Sequence, residues 1–122
     1  MRHCGDTMRQ NGGGVIINTA SGAGLMATPT MIAYGASKHA VIGMTKTASI
    51  ELAPAGIRVN AVCPGVIDTP MNERNLKKSK NKRAMKSKWK KITPLGRVAS
   101  PYELAQTVLF LSSDMSSFIT GV

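Results

Sequence analysis

The sequence predicts an α/β fold with parallel strands, on three observations. A β-branched run at residues 15–17 follows a glycine turn, the stretch from Ala33 to Ala53 lacks proline and is rich in helix formers, and a second apolar run spans Ile57–Cys63. Strands joined by a long helical crossover lie parallel. Because two parallel strands leave faces and edges uncovered, further strands are expected to complete such a sheet.

The first strand is predicted at about residues 14–20. Its β-branched core lies between the glycine turn at residues 12–14 and a loop at 21–31 that is rich in Gly, Ala, Thr and Pro. The preceding residues 1–13 are polar, end in that turn and receive no predicted element. The length and flanks of the run are those of a buried parallel strand.

The long helix is predicted to end at Pro54 and Gly56. Small residues crowd its first half, which predicts that something packs very close to its backbone, since the glycines lower helix propensity. A rough apolar stripe follows the helical period. The small residues are Ala33, Gly35, Ala36, Ser37, Ala40 and Gly43, and the stripe is Ile42, Thr45, Ser49 and Leu52.

The second strand alternates, which predicts that Ile57, Val59, Ala61 and Cys63 share one face. Pro64-Gly65 stops it. The last helix is predicted to begin with a capping box and to end near residues 112–114. Its N-cap, N1 and N3 residues are Ser100, Pro101 and Glu103, and its apolar stripe is Leu104, Val108 and Leu111, with Phe110 beside it.

The net charge of +10 comes from one segment. Residues 74–91 hold ten of the sixteen basic residues and no acidic one, so the rest of the chain carries six of each sign. A solvated, mobile lid is the plainest interpretation, and attraction of an anionic substrate such as a carboxylate or a phosphate-bearing acyl carrier is another. Nucleic acid is disfavoured as a partner, because only Trp89 interrupts the run and offers no stacking platform.

Several classes of protein are excluded or disfavoured by composition. No apolar run is long enough to cross a membrane, so no membrane partner is expected. Cys4 and Cys63 are too few for a disulfide framework and have no spaced partners for a metal site, so no metal is expected. The default compartment is the reducing cytoplasm.

Three residues suggest proton-transfer chemistry. Tyr34 and Lys38 stand four apart at the head of the long helix and therefore share one face, while Ser21 follows the first strand at its carboxyl end, where ligands bind in open α/β sheets. A nearby ammonium favours a phenolate, which lets a tyrosine exchange a proton with an alcohol or carbonyl oxygen. Ser21 is placed to donate a hydrogen bond to the same oxygen. Matching hydride transfer at the carbon usually uses a nicotinamide cofactor.

The Tyr-x-x-x-Lys spacing alone is a weak signal of a catalytic site, but the sequence around it is specific. Three segments in this order and spacing make the chain resemble the classical short-chain dehydrogenase/reductase family, from about Gly12 to Val122. They are Thr19–Ser21, Tyr34–Lys38 and Gly56–Gly65, which reads Gly-Ile-Arg-Val-Asn-Ala-Val-Cys-Pro-Gly.

The resemblance implies roles for named residues. Ser21 orients the substrate, Tyr34 is the catalytic acid/base, and Lys38 also hydrogen-bonds the nicotinamide ribose. The loop Pro64–Thr69 would meet the nicotinamide carboxamide of NAD or NADP. Its cofactor-binding residues would be Pro64, Gly65, Val66, Ile67 and Thr69, with Thr69 alternatively a turn residue ahead of Pro70.

The resemblance also implies a fold, and it identifies the segments of that fold that have no counterpart here. Residues 1–122 would be the C-terminal portion of one Rossmann-type, doubly wound domain, with a substrate-loop excursion at about 70–98. The family's Thr-Gly-x-x-x-Gly-x-Gly turn and first strands have no counterpart here, nor does the last strand. For the full-length protein the resemblance implies NAD(P)-dependent interconversion of a small alcohol and a ketone, in a homodimer or homotetramer. We expect the isolated chain to be inactive. The alternative is a non-catalytic fragment or interaction module of the same family.

Overall fold

The computed structural model describes residues 1–122 and contains two strands, five α-helices and three short 3₁₀ turns. By internal contacts the chain divides into a first unit, Met1–Cys63 with Thr107–Val122, and a second unit, Pro64–Gln106. The elements in chain order are α1 (Arg2–Gln10), β1 (Gly14–Thr19), α2 (Ile32–Leu52), β2 (Ile57–Val62), α3 (Pro70–Lys78), α4 (Lys82–Ile92) and α5 (Pro101–Ser112), with 3₁₀ turns at Gly22–Gly24, Ala53–Ala55 and Asp114–Ser116.

The two strands form a parallel sheet, as predicted. They pair in register from Gly14 opposite Ile57 to Thr19 opposite Val62. The crossover between them is α2, which packs mainly on β2. The carboxyl ends of both strands therefore lie at the same edge of the sheet, and the head of α2 follows the end of β1 through a twelve-residue connection, residues 20–31.

The core of the first unit lies between the sheet and α2. Ile57 and Val59 are almost fully buried and pack with Ala48 and Leu52 of the helix. The predicted helical stripe is correct, since Thr45, Ser49 and Leu52 are buried and Ile42 is half-buried. Partly buried apolar residues complete this cluster: Met1, Met8, Ile16 and Ala55.

Helix α1 was not predicted from its polar sequence. Its one buried residue is Gly5, where an added Cβ would lie 3.3 Å from Leu52 Cδ2. Met1 and Met8 pack against the core cluster from the same element. Tertiary packing of three positions, rather than helix propensity, therefore stabilises this helix.

Burial along β2 does not alternate as its sequence pattern predicts. Asn60 and Val62 are buried together with Ile57 and Val59, while Ala61 is only half-buried. The end of the chain pairs with the edge of β2 that faces away from β1. Hydrogen bonds run from the Gly121 amide to the Val59 carbonyl (2.8 Å) and from the Ala61 amide to the Val122 carbonyl (2.6 Å). The Asn60 side chain joins the same segment, donating to Ile119 O and accepting from the Val122 amide.

Only some of the small residues in the first half of α2 have the close neighbour that their composition predicts. An added Cβ at Gly35 would contact Ala23 O at 3.5 Å, but one at Gly43 would meet nothing within 4 Å. The remaining small residues of this half are exposed: Ala33, Ala36, Ser37 and Ala40. Within this chain, therefore, most of that face has no neighbour that would explain its composition.

The second unit contains α3, α4 and the start of α5. Thr69 and Asn81 cap α3 and α4, each accepting from the backbone amide three residues on. The predicted capping box of α5 is correct: Glu103 N donates to Ser100 Oγ, and Ser100 N donates to a Glu103 carboxylate oxygen. None of the helices in the chain combines the length and the apolar character needed to cross a bilayer.

Candidate active site

Ser21 directly follows the carboxyl end of the sheet. Its backbone is extended, and it caps the 3₁₀ turn at Gly22–Gly24. The Ser21 Oγ accepts a hydrogen bond from the Ala23 amide at 3.2 Å. Because the oxygen is the acceptor in this contact, the hydroxyl proton stays available for a ligand.

Tyr34 and Lys38 meet on one face of α2, as their spacing predicts. The Lys38 Nζ lies 5.7 Å from the centroid of the Tyr34 ring and donates to the carbonyl oxygen of Thr19 at 3.0 Å. Both side chains are half-buried. The ammonium is therefore held between a backbone carbonyl at the end of β1 and an aromatic face.

Close packing fixes the turn after Ser21 against α2. Gly24 is buried, and a Cβ added there would lie 2.7 Å from the Lys38 carbonyl oxygen and 2.9 Å from Ile42 Cδ1. Only glycine allows this approach. The turn that carries Ser21 and the helix turn that carries Lys38 are consequently in direct contact.

The polar atoms of this cluster retain unused hydrogen-bonding capacity. The Tyr34 hydroxyl makes no hydrogen bond within the chain, and the Lys38 ammonium uses one of its three protons. A ligand oxygen could therefore be bound by hydroxyl groups, with a cation one helical turn away. Such an arrangement suits proton exchange with an alcohol or carbonyl oxygen.

The loop Pro64–Thr69 belongs to the second unit. Its carbonyls are engaged: Val66 O accepts from the Ala99 amide at 3.1 Å, and Ile67 O accepts from Asn72 Nδ2 at 2.7 Å. The backbone amides of Val66 and Ile67 donate to nothing within the chain. They are thus free to donate to an external carbonyl, such as that of a carboxamide.

Thr69 has a clear structural use. Its Oγ1 accepts from the Asn72 amide at 3.5 Å as the N-cap of α3. This contact uses an acceptor position and leaves the hydroxyl proton unassigned, so a structural and a ligand-binding use are compatible.

Sequence reasoning missed the groups that position the three candidate side chains. The Thr19 carbonyl and Gly24 were not singled out, although glycine is the residue that permits close backbone approach. A third missed contact is the hydrogen bond from Asn18 Nδ2 to Thr45 Oγ1 (2.9 Å), which ties β1 to α2 about two helical turns beyond Lys38. A backbone acceptor has no sequence signature of its own.

Comparison with known proteins gives consistent matches. A family model described as enoyl-(acyl carrier protein) reductase matches residues 1–122. The short-chain dehydrogenase anuF of Penicillium roqueforti is 45% identical over 114 residues, which are 93% of this chain and 40% of that protein. The 3-oxoacyl-[acyl-carrier-protein] reductase of Thermotoga maritima is 47% identical over 108 residues, 88% of this chain and 42% of the reductase.

Solved structures of dehydrogenases and of related proteins also match this chain. The crystal structure of NAD⁺-bound xylitol dehydrogenase superposes with a TM-score of 0.92 at 37% identity, covering 99% of this chain and 50% of that one. The structure of ElxO with NADP bound gives a TM-score of 0.87 at 34% identity, covering 99% of this chain and 48% of that one.

These matches confirm both the resemblance read from the sequence and the fold, part of a Rossmann-type parallel sheet. The chain spans about two fifths of the length of the curated relatives described above. It belongs to the short-chain dehydrogenase/reductase family.

Proposed function

We propose that the chain supplies the proton-transfer site of an NAD(P)-dependent oxidoreductase that interconverts a small alcohol and a ketone. The observation that carries this proposal is the position of the Lys38 ammonium, 3.0 Å from the Thr19 carbonyl and 5.7 Å from the Tyr34 ring. A cation held at a tyrosine stabilises the phenolate, which is the state needed for base catalysis.

Each side chain then has one task. The Ser21 hydroxyl, already accepting from the Ala23 amide, donates a hydrogen bond to the substrate oxygen and holds that oxygen in place. Tyr34 gives a proton to that oxygen when a ketone is reduced and takes one when an alcohol is oxidised. Lys38 stabilises the phenolate that forms when Tyr34 has given its proton.

The residues present fit a nicotinamide dinucleotide. We assign the free amides of Val66 and Ile67 to its carboxamide, the two unused protons of Lys38 to its ribose, and Pro64-Gly65 to the bend that exposes those amides. Thr69 and Tyr34 complete the proposed cofactor-binding set. Hydride transfer at the substrate carbon is the chemistry that the cofactor supplies when bound. NAD and NADP both remain candidates, since both occur in the similar structures.

Activity requires a pyrophosphate-binding turn, and no Thr-Gly-x-x-x-Gly-x-Gly motif occurs in these 122 residues. We therefore propose that residues 1–122 act as the C-terminal portion of a single domain, with residues 70–98 as its substrate excursion. The isolated chain is expected to be inactive. The proposed setting is the cytoplasm.

A chimera tests this proposal. In it, the chain replaces the matching segment of the Thermotoga maritima reductase, which supplies the remaining part of the fold. We expect NADH or NADPH consumption with at least one member of a panel of aliphatic, cyclic and 3-oxoacyl ketones. A folded chimera that binds either cofactor but reduces no ketone would reject the proposed activity.

A second function is favoured by the exposed small-residue face of α2. Ala33, Ala36, Ala40 and Gly43 are all exposed, and small residues at these spacings let a second helix approach closely. We propose that this face forms a homodimer or homotetramer contact. The chain alone would then be a non-catalytic interaction module. Sedimentation of the 122 residues, with an Ala36→Lys/Ala40→Lys variant as the comparison, tests this: both proteins sedimenting as monomers would reject it.

A further inference from the structure

None of the cations in the basic segment, residues 74–91 of the second unit, forms a salt bridge. Its ten cations are Arg74, Lys77, Lys78, Lys80, Lys82, Arg83, Lys86, Lys88, Lys90 and Lys91. The two salt bridges of the structure, Arg9 with Asp6 and Arg97 with Glu103, lie outside this segment. None of the ten side chains donates a hydrogen bond within the chain, so their charge is directed entirely to the surroundings.

Helix α4 arranges its cations in a row. Lys82, Lys86 and Lys90 follow one another at i, i+4 and i+8, and Arg83 lies beside them. Successive members of this row lie about 6 Å apart along the axis, given the rise of about 1.5 Å per residue. Like charges at this spacing destabilise a helix, and no carboxylate on α4 offsets them. A partner with negative charges would relieve that repulsion.

The one aromatic residue of the segment is not fully exposed. Trp89 lies three residues after Lys86, at the margin of the lysine row, and is half-buried together with Met85 one turn before it. Base stacking therefore finds no fully exposed aromatic ring here, which disfavours single-stranded nucleic acid.

Exposed apolar side chains border the cations. Met71 is 56% exposed at the start of α3, Ile92 is 61% exposed at the end of α4, and Leu95 follows at 79%. A nucleic-acid backbone gains little from such residues. A protein partner can bind both the cations and the apolar side chains, because protein interfaces combine apolar anchors with a polar and charged rim.

From this combination we propose that α3, α4 and the residues up to Leu95 form a docking surface for an acidic helix of a partner protein. Carboxylates at i and i+4 on that helix would match the 6 Å spacing of Lys82, Lys86 and Lys90, and an apolar residue beside them would contact Ile92 or Leu95. The predominance of lysine, eight of ten cations, suits carboxylates without the planar geometry that arginine imposes. This proposal is independent of the proposed oxidoreductase activity.

The test uses the 122-residue chain and a labelled 20-residue helical peptide with Glu at every turn and Leu beside them. A second peptide carries Gln in place of Glu. In fluorescence anisotropy at low salt, we expect the Glu peptide to bind at least tenfold more tightly than the Gln peptide. Equal binding of the two peptides would overturn the proposal.

Two matched variants locate the charge effect. Lys86→Gln/Lys90→Gln and Arg2→Gln/Lys46→Gln each remove two exposed cations, but only the first pair belongs to the surface. The first should weaken Glu-peptide binding at least tenfold and the second less than twofold. Equal losses would indicate net charge alone and would contradict the proposal.

Ile92→Ser/Leu95→Ser separates a protein partner from other polyanions. Both side chains are exposed, so the variant should fold, as circular dichroism can verify. It should weaken Glu-peptide binding at least fivefold and leave binding of a 20-base-pair DNA duplex unchanged. Unchanged peptide binding would identify a general polyanion surface instead. Sedimentation of the chain with vesicles containing 30% anionic lipid, under conditions where the peptide does not bind, would identify a membrane surface and overturn the proposal.

Discussion

The Lys38 ammonium donates a hydrogen bond to the Thr19 carbonyl across nineteen residues of sequence, at 3.0 Å. This contact ties the head of α2 to the end of β1, two residues before Ser21. It also keeps the cation 5.7 Å from the Tyr34 ring. A single backbone acceptor thus determines where the charge lies in the proposed active site.

Replacing Lys38 tests that role. In the chimera, Lys38→Met should lower kcat about 10²–10⁴-fold, the range associated with acid–base catalysis, because the phenolate loses its cation. Lys38→Arg keeps a charge and should retain more activity than Lys38→Met. The decisive measurement is kcat of the two variants and the parent chimera at one pH. A kcat of Lys38→Met within tenfold of the parent value would mean that Lys38 serves only structure.

Gly24→Ala should destabilise the first unit. The new Cβ would meet the Lys38 carbonyl oxygen at 2.7 Å, so the turn and α2 must separate, at a cost of about 1–3 kcal/mol for overpacking. Gly43→Ala is the matched control, because its Cβ would enter open space on an exposed helix position and should stabilise by about 0.5–1 kcal/mol. Urea unfolding measures both. Equal effects of the two substitutions would contradict the close packing of Gly24.

Arg58→Met should loosen the end of the chain. The guanidinium donates to three carbonyls, at 3.0 Å to Leu111, 3.0 Å to Ser113 and 3.3 Å to Ile119. Removing it breaks three charge-assisted hydrogen bonds, although each carbonyl keeps a second donor in Ser116 or Asn60, so we expect a cost of about 1–3 kcal/mol. Hydrogen exchange at Gly121 should accelerate as well. Lys46→Met, at an exposed position of α2, is the control and should change neither measurement.

Glu103 should make the start of α5 sensitive to acid. Hydrogen bonds from Arg97, and then from the Ser100 amide, lower the pKa of its carboxyl from 4.5 to about 2. Because the folded pKa is depressed, the stabilisation is complete above 4.5 and is lost as the pH falls towards 2. The difference in Tm between the parent chain and Glu103→Gln should therefore shrink between pH 5 and pH 2. A difference independent of pH would contradict this assignment.

Local patterns predicted the elements that local sequence controls. The bounds of β1, α2 and β2 and the capping box at Ser100 and Glu103 follow from turn residues, periodicity and capping chemistry. The pairing of Tyr34 with Lys38 follows from helical spacing. Their catalytic roles stay predictions that the experiments above test.

Local sequence patterns could not predict the contacts between distant segments. Burial of Asn60 depends on Ile119 and Val122, some sixty residues away, so alternation along β2 could not reveal it. Helix α1 forms from polar residues because Gly5 fits against Leu52. The Thr19 carbonyl that holds Lys38 is a backbone atom, which any residue at that position would supply.

The most direct test of the central claim is Tyr34→Phe in the chimera, measured as kcat together with the Kd for NADH and NADPH. The substitution removes only the hydroxyl, which makes no hydrogen bond within the chain, so the fold should be unaffected. We predict that kcat falls about 10²–10⁴-fold while cofactor Kd changes less than threefold, because the cofactor contacts proposed for Lys38 and for the Val66 and Ile67 amides remain. Turnover retained within tenfold of the parent chimera would contradict the assignment of Tyr34 as the acid/base.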